Sequence, residues 1–289
     1  MVAVIYGVTF TIAKDVMPRY IAPYGFILVR VGGSMLLFWI IAFVGPKEKI
    51  AFNDYPRIIA AAFFGVALNM LTFFKGLSYT SPIMGAVLMV TTPIIVLVLS
   101  AVLMRERMEN KKTIGIVLGL LGTIILILYG KSLTNASNPL LGNLLVFINA
   151  VSYGFYLILV KKLIDKYNAF TFVKWIYLFG FLMVLPFGWQ EVQQVAWQDL
   201  PAPAMINIGF VIIFSTFLTY LLNLISMREL KPTTVAIFIY LQPLFATLFA
   251  VSLGKDHISA LKAVSAAFIF LGVYLVTHKK HTAKTNEEW

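Results

Sequence analysis

Arg30, Asn69, Asn149, Thr219 and Asn223 stand inside long apolar runs of this 289-residue chain, where polar side chains are expensive and mark sites of action. Their types suit holding a solute rather than breaking a bond. Intramembrane proteolysis would need buried Asp pairs, or Ser with His, and metal-assisted hydrolysis would need a ligand cluster. The three histidines are His257, His278 and His281, all outside the apolar runs, and there is no cysteine. No run carries Asp or Glu in its interior. The chain is therefore expected to be no enzyme, to need no cofactor and to bind no metal.

The polar residues fall into helical stripes. Thr216, Thr219, Tyr220 and Asn223 recur at i, i+3, i+4 and i+7, as do Asn149, Ser152, Tyr153 and Tyr156. Asn69 and Thr72 share a face with Gly65 and Gly76, and Tyr6 and Thr9 head the first run. Thr91, Tyr240 and Gln242 stand beside Pro93 and Pro243. Any one of these side chains can simply bond one helix to another. Taken together they predict a neutral, aromatic-rich site for a small-molecule substrate. Pro93 and Pro243 each remove a backbone donor and free a carbonyl one turn earlier, near Met89 and Ile239, as a tolerated kink or a hinge. Arg30 lies about six residues into its run, roughly 9 Å deep at the helical rise. A charge there costs a few kcal/mol, on the order of 3, unless it finds a partner. The nearest acid is Asp15, and Arg30 reads either as a structural anchor or as a contact for a substrate carboxylate. Lys174, near a run's end, reads as a snorkelling side chain.

Composition says what positions these groups. The chain is 60% hydrophobic and 12% charged, with a mean hydropathy of +0.89; a soluble fold could not cover so much apolar surface. Spans of roughly 20 residues are predicted at 2–17, 24–44, 58–77, 82–104, 113–129, 139–160, 169–188, 204–227, 232–253 and 258–277. They must be helices, because barrel strands would alternate and be half as long. The net charge of +11 comes from basic residues scattered through short loops, which fits membrane topology and no nucleic acid partner. With the N-terminus inside, the clusters around Lys47, Arg105, Lys161 and Lys279 all lie on the cytoplasmic side. The longest outside loop, 188–203, then has no Lys or Arg. Both termini are expected inside. Met1–Ile5 lacks a basic lead and reads as the start of a span rather than a signal peptide; that span is short, which leaves room for a longer native N-terminus.

The chain also repeats itself. At an offset of 150, Pro82 falls on Pro232, Pro93 on Pro243, Glu106 on Asp256 and Gly122 on Gly272; at 147, Tyr6-Gly7 falls on Tyr153-Gly154. Five spans per half is odd, so the second half must enter the membrane from the other side, an arrangement shared by many secondary transporters. The fold expected is an all-α polytopic membrane protein of ten transmembrane helices, two inverted five-helix repeats (1–130 and 139–278) around a central cavity, with a cytoplasmic tail over 279–289.

Tyr6-Gly-Val-Thr-Phe-Thr-Ile-Ala-Lys14, Leu28-Val-Arg30, the Pro-Ile at Pro93, the Pro-Leu at Pro243 and the acids Glu106 and Asp256 before Gly-rich spans resemble the EamA-type carriers of the drug/metabolite transporter superfamily. The resemblance covers essentially the whole chain and departs at Lys255-Asp256, where Gly-Glu is usual. It implies alternating access, a small-molecule substrate, membrane lipid as surroundings and a bacterial inner-membrane address. Relatives move amino acids, other metabolites or drugs. The absence of intramembrane acid favours facilitated or weakly coupled movement of a neutral or zwitterionic metabolite such as an amino acid, by an exporter or facilitator. The alternatives are a multidrug exporter of the same family or a membrane protein with a structural or regulatory role. The motif Gly115-Ile-Val-Leu-Gly119 suits close helix packing, either inside the bundle or in a homodimer.

Overall fold

The computed structural model of the chain describes residues 1–46, 48–79, 88–105, 109–128, 138–252 and 260–277. Pro82, Glu106, Asp256, the three histidines and the 279–289 tail lie outside these residues, as do the side chains of Asp15 and Pro243. The described secondary structure is helical throughout, without strands.

The helices follow the apolar runs: α1 Val2–Val16, α2 Pro23–Val44, α3 over 55–79, α4 Thr92–Leu103 and α5 Asn110–Leu128. They continue as α6 Pro139–Ile164, α7 Ala169–Gln193, α8 Ala202–Glu229, α9 over 232–252 and α10 Ala260–Thr277. Five stretches are long and apolar enough to cross a membrane by length and composition: Pro23–Val44, Phe52–Gly76, Leu140–Ile164, Ala169–Gln193 and Ala202–Glu229. Helices α6 and α7 run past the ends expected from hydropathy. A charged or polar residue ends an apolar run without ending a helix, since Lys, Gln and Glu are good helix formers; Lys161 and Lys162 occupy the last turn of α6.

Two helices carry an insertion that sequence periodicity did not show. In α3 the backbone widens to a π-helix over Phe63–Ala67, and in α8 over Val211–Leu218. Each widening changes which side chains share a face and disturbs the regular carbonyl ladder, and such segments cluster at functional sites. The fourth and ninth apolar runs are broken too. Pro93 is at the first turn of α4, just after a turn at Val90–Thr91, where its missing N–H costs nothing. In α9 a 3₁₀ turn, Phe238–Tyr240, separates Pro232–Ile237 from Leu241–Ser252, and Pro243 again opens the second piece. Both prolines thus start a helix segment rather than bend a continuous one.

Helix packing follows a pattern. The closest pairs are α5 with α10, α2 with α7, and α3 with α6; α1 packs on α9 and α8, α4 on α6 and α9, α2 on α8, and α3 on α7. Glycine makes the α5–α10 pair possible. A Cβ at Gly115 would lie 2.7 Å from the Gly272 carbonyl, and one at Gly122 would lie 2.7 Å from the Ser265 carbonyl. The packing motif at Gly115–Gly119 therefore serves contacts within the chain. As residue numbers rise along α5 they fall along α10, so the pair is antiparallel. The same holds for α2 and α7, where Gly25 meets Glu191, Gly32 meets Phe181 and Gly45 meets Phe170.

The ends of α2 and α7 cap each other. The Gly25 N–H donates to Glu191 Oε2 at 2.7 Å. At the other end of the pair, the Asn168 N–H and Thr171 hydroxyl donate to Glu48 Oε2 at 2.7 and 2.9 Å. Each carboxylate thus meets the donor-rich start of the opposite helix. Near Glu48's end of the pair, buried Asp54 accepts hydrogen bonds from Lys166 and from the Tyr167 hydroxyl, and the Asp54 carboxylate holds the Lys166 ammonium above its usual range.

Candidate functional site

Where α1, α2, α3, α6, α7 and α8 meet, the structure gathers polar side chains around the two π segments. Thr219 directs its hydroxyl at the Ser215 carbonyl (2.7 Å) and lies 3.2 Å from the Tyr6 hydroxyl. The Tyr220 hydroxyl donates to the Gly65 carbonyl at 2.9 Å, tying α8 to the widened part of α3. The Ser152 hydroxyl donates to the neighbouring Phe64 carbonyl at 2.6 Å. Side chains of α6 and α8 therefore bond to carbonyls of α3's π segment, which is how an irregular turn stays satisfied away from water.

Aromatic rings wall this centre. Tyr153 and Tyr156 have centroids 6.0 Å apart, Tyr156 and Tyr220 5.9 Å, and Tyr177 meets Tyr220 edge-on at 5.3 Å, separations typical of favourable aromatic pairs. Gly65 leaves the space for the Tyr156 ring: a Cβ there would lie 2.1 Å from Tyr156 Cδ2.

Arg30 enters from α2. Its side chain is buried, with 8% of the residue exposed. Its Nε donates to the Thr216 hydroxyl at 3.1 Å, and that hydroxyl donates in turn to the Val211 carbonyl at 2.8 Å. The guanidinium carbon lies 5.8 Å from the Phe74 ring centroid, within cation–π range. Arg30 is also within electrostatic reach of Tyr6, Tyr177 and Tyr220. Among the described residues it has no carboxylate partner.

Of the residues singled out by sequence, Tyr6, Arg30, Tyr153, Tyr156, Thr219 and Tyr220 come together in this centre. Asn69 and Asn149 instead clasp α3 to α6: Asn149 Nδ2 donates to the Asn69 carbonyl at 2.7 Å and Asn69 Nδ2 to the Asn149 carbonyl at 3.3 Å. The Thr9, Thr72 and Thr91 hydroxyls bond backbone carbonyls three or four residues back, at 2.7, 2.6 and 2.6 Å. Tyr240 belongs to a second core with Ile116, Leu244 and Ile269, its ring seated where Gly119 lacks a side chain. Asn223 and Gln242 are half-buried. Lys174 places its ammonium 5.1 Å from the Trp39 ring. A surface recess lined by Ala42, Pro46, Glu48, Lys49, Phe170, Thr171 and Lys174 lies at that same end of α2 and α7, apart from the tyrosines.

The sequence reading passed over Tyr177. It sits in the middle of an apolar helix whose other polar residues lie near its ends, so no stripe marks it; a lone Tyr flanked by Trp175 and Phe179 reads as core. Among the described residues no cluster of metal-ligating side chains is present.

A helical bundle with apolar spans and a buried polar centre defines an integral membrane protein. The sequence model of the EamA-like transporter family matches residues 1–128 and again residues 140–278, and the chain belongs to that family. It is 26% identical over 279 residues to an uncharacterized transporter of Archaeoglobus fulgidus, covering 95% of each chain. It is also 26% identical over 259 residues to the uncharacterized transporter YetK of Bacillus subtilis, covering 88% of this chain and 77% of that one. A solved crystal structure superposes with a TM-score of 0.76 at 16% identity, over 95% of this chain and 94% of that one, a likeness of fold.

Proposed function

We propose that this protein is a secondary transporter that carries a small neutral or zwitterionic metabolite, such as an amino acid, by alternating access. It acts as an exporter or facilitator. The observation that carries the reading is the buried centre of Arg30, Thr216, Thr219 and five tyrosines, walled by helices of both halves.

The packing supports an inverted repeat behind it. Exchanging each helix of the first five with its counterpart in the second five carries several of the main contacts onto one another: α1–α9 becomes α6–α4, α2–α8 becomes α7–α3, and α3–α6 becomes α8–α1. The close approaches obey the 150-residue offset, which turns Gly115–Gly272 into Ser265–Gly122. The self-paired helices, α5 with α10 and α2 with α7, are antiparallel. A two-fold axis lying in the membrane plane requires that, whereas an axis along the membrane normal would make them parallel. The π segments and the broken spans recur at matching places in both halves. Two such halves can trade inward- and outward-open packings of nearly equal energy, with Pro93 and Pro243 opening the segments that move. Both termini sit on the cytoplasmic face.

The test is counterflow in proteoliposomes preloaded with a panel of amino acids, without an ion gradient. Tyr153→Ala and Thr219→Val are expected to cut uptake at least about tenfold while leaving the protein folded in detergent. Wild-type uptake in both variants would remove the site assignment.

A further inference from the structure

We propose that the buried centre recognises its solute by a carboxylate, with Arg30 as the anchor. This rests on the transport reading above. Arg30 is more than nine-tenths buried, yet its one hydrogen bond among the described residues uses Nε. Both terminal nitrogens of the guanidinium are left for another group. A planar fork with two parallel donors matches a carboxylate in a bidentate pair. Thr216, itself held by the Val211 carbonyl of the π segment, accepts from Nε and so fixes that side of the fork.

Charge counting points to a monoanion. A buried arginine without a carboxylate partner is costly in a membrane interior, and a single carboxylate neutralises it. A phosphate carrying two charges would leave one uncompensated. The rest of the solute meets neutral groups: the Tyr156 and Ser215 hydroxyls are buried with no hydrogen-bond partner among the described residues, and the tyrosine rings offer apolar faces. A zwitterion fits, with its ammonium on those acceptors. A free amine does not, because its charge would be uncompensated beside Arg30. Arg30 acts as a positive point that the solute must meet.

Wild-type protein in proteoliposomes is assayed by competition against counterflow of each carried amino acid, with leucine, its decarboxylated amine (3-methylbutylamine) and its deaminated acid (4-methylpentanoate) as the matched set. The acid is expected to compete within about tenfold of leucine, and the amine at least about a hundredfold more weakly, the loss of one buried charge pair. Arg30→Lys should raise the KM for leucine more than it lowers kcat, and Arg30→Gln should abolish the preference of acid over amine. Thr216→Val, which frees the fork without removing it, should raise KM by about tenfold and keep the preference. Asp15→Asn should leave the preference unchanged; a markedly stronger preference for the acid in that variant would make Arg30 half of a structural ion pair and overturn the assignment. Equal competition by amine and acid also overturns it while the transport reading stands. No counterflow by any amino acid of the panel would bring down both. The analogue comparison needs no variant, so misfolding of Arg30→Gln leaves the test in force.

Discussion

The buried hydroxyls that find a partner in this protein do so in two ways. Thr9, Thr72 and Thr91 turn back to their own helix, a local bond that satisfies the group without a partner from elsewhere. Tyr220 reaches across to the Gly65 carbonyl and joins α8 to α3, while Thr219 turns back to the Ser215 carbonyl and also lies against the Tyr6 hydroxyl of α1. Tyr220→Phe, which removes only the bond to the Gly65 carbonyl, should cost about 1 kcal/mol of stability and slow transport; thermal unfolding in detergent and counterflow measure the two effects separately. Asn149→Ala should cost more, about 2 kcal/mol, because it removes the donor to the Asn69 carbonyl and leaves a buried gap between α3 and α6, and its signature is lost stability before lost substrate preference. Polar identity at helical spacing made Tyr6, Tyr153, Tyr156, Thr219 and Tyr220 legible from sequence. It could not separate the hydroxyls that face inward from those that fold back, because both kinds occupy the same stripe. Nor could it pair Asn69 with Asn149, since a contact between residues 80 apart leaves no period to read.

At the scale of helices, the widened turns in α3 and α8 decide the site. Each inserts an irregularity where the regular spacing would continue, so Gly65 presents a carbonyl to Tyr220 and room to Tyr156. Gly65→Ala is expected to push the Tyr156 ring aside at a cost of about 2 kcal/mol, and Tyr156→Leu in the same chain should restore part of the loss; melting temperatures of the single and double variants check this. Gly115→Leu faces a backbone carbonyl that cannot yield and should give no folded protein, read as loss of a monodisperse peak in detergent. The reciprocal caps predict that Glu48→Gln and Glu191→Gln each weaken the α2–α7 pair by about 1 kcal/mol. Helix existence was legible because a bilayer demands long apolar runs. The π segments were not, because no residue type announces them: Phe63-Phe-Gly-Val-Ala67 and Val211-Ile-Ile-Phe-Ser-Thr-Phe-Leu218 are ordinary apolar sequence.

At the scale of the molecule, the offset of 150 that appears as scattered identities in the sequence reappears as matched contacts between Gly115 and Gly272 and between Gly122 and Ser265. The identities stand out in the sequence because they fall on prolines and glycines, which are scarcer than the apolar residues around them. The chain has no cysteine, so single cysteines report topology without background. Gln194→Cys should react with a membrane-impermeant maleimide on intact cells, and Glu109→Cys only after permeabilisation. The reverse pattern would invert the orientation proposed for both halves.

Counterflow bears most directly on the claim that the Arg30 and tyrosine centre carries a solute across the membrane. Proteoliposomes loaded with an unlabelled amino acid and given its labelled form outside, with no ion gradient, should accumulate label transiently, and Tyr153→Ala liposomes should not. Absence of counterflow for every amino acid tested, or equal counterflow in wild type and Tyr153→Ala, would contradict it.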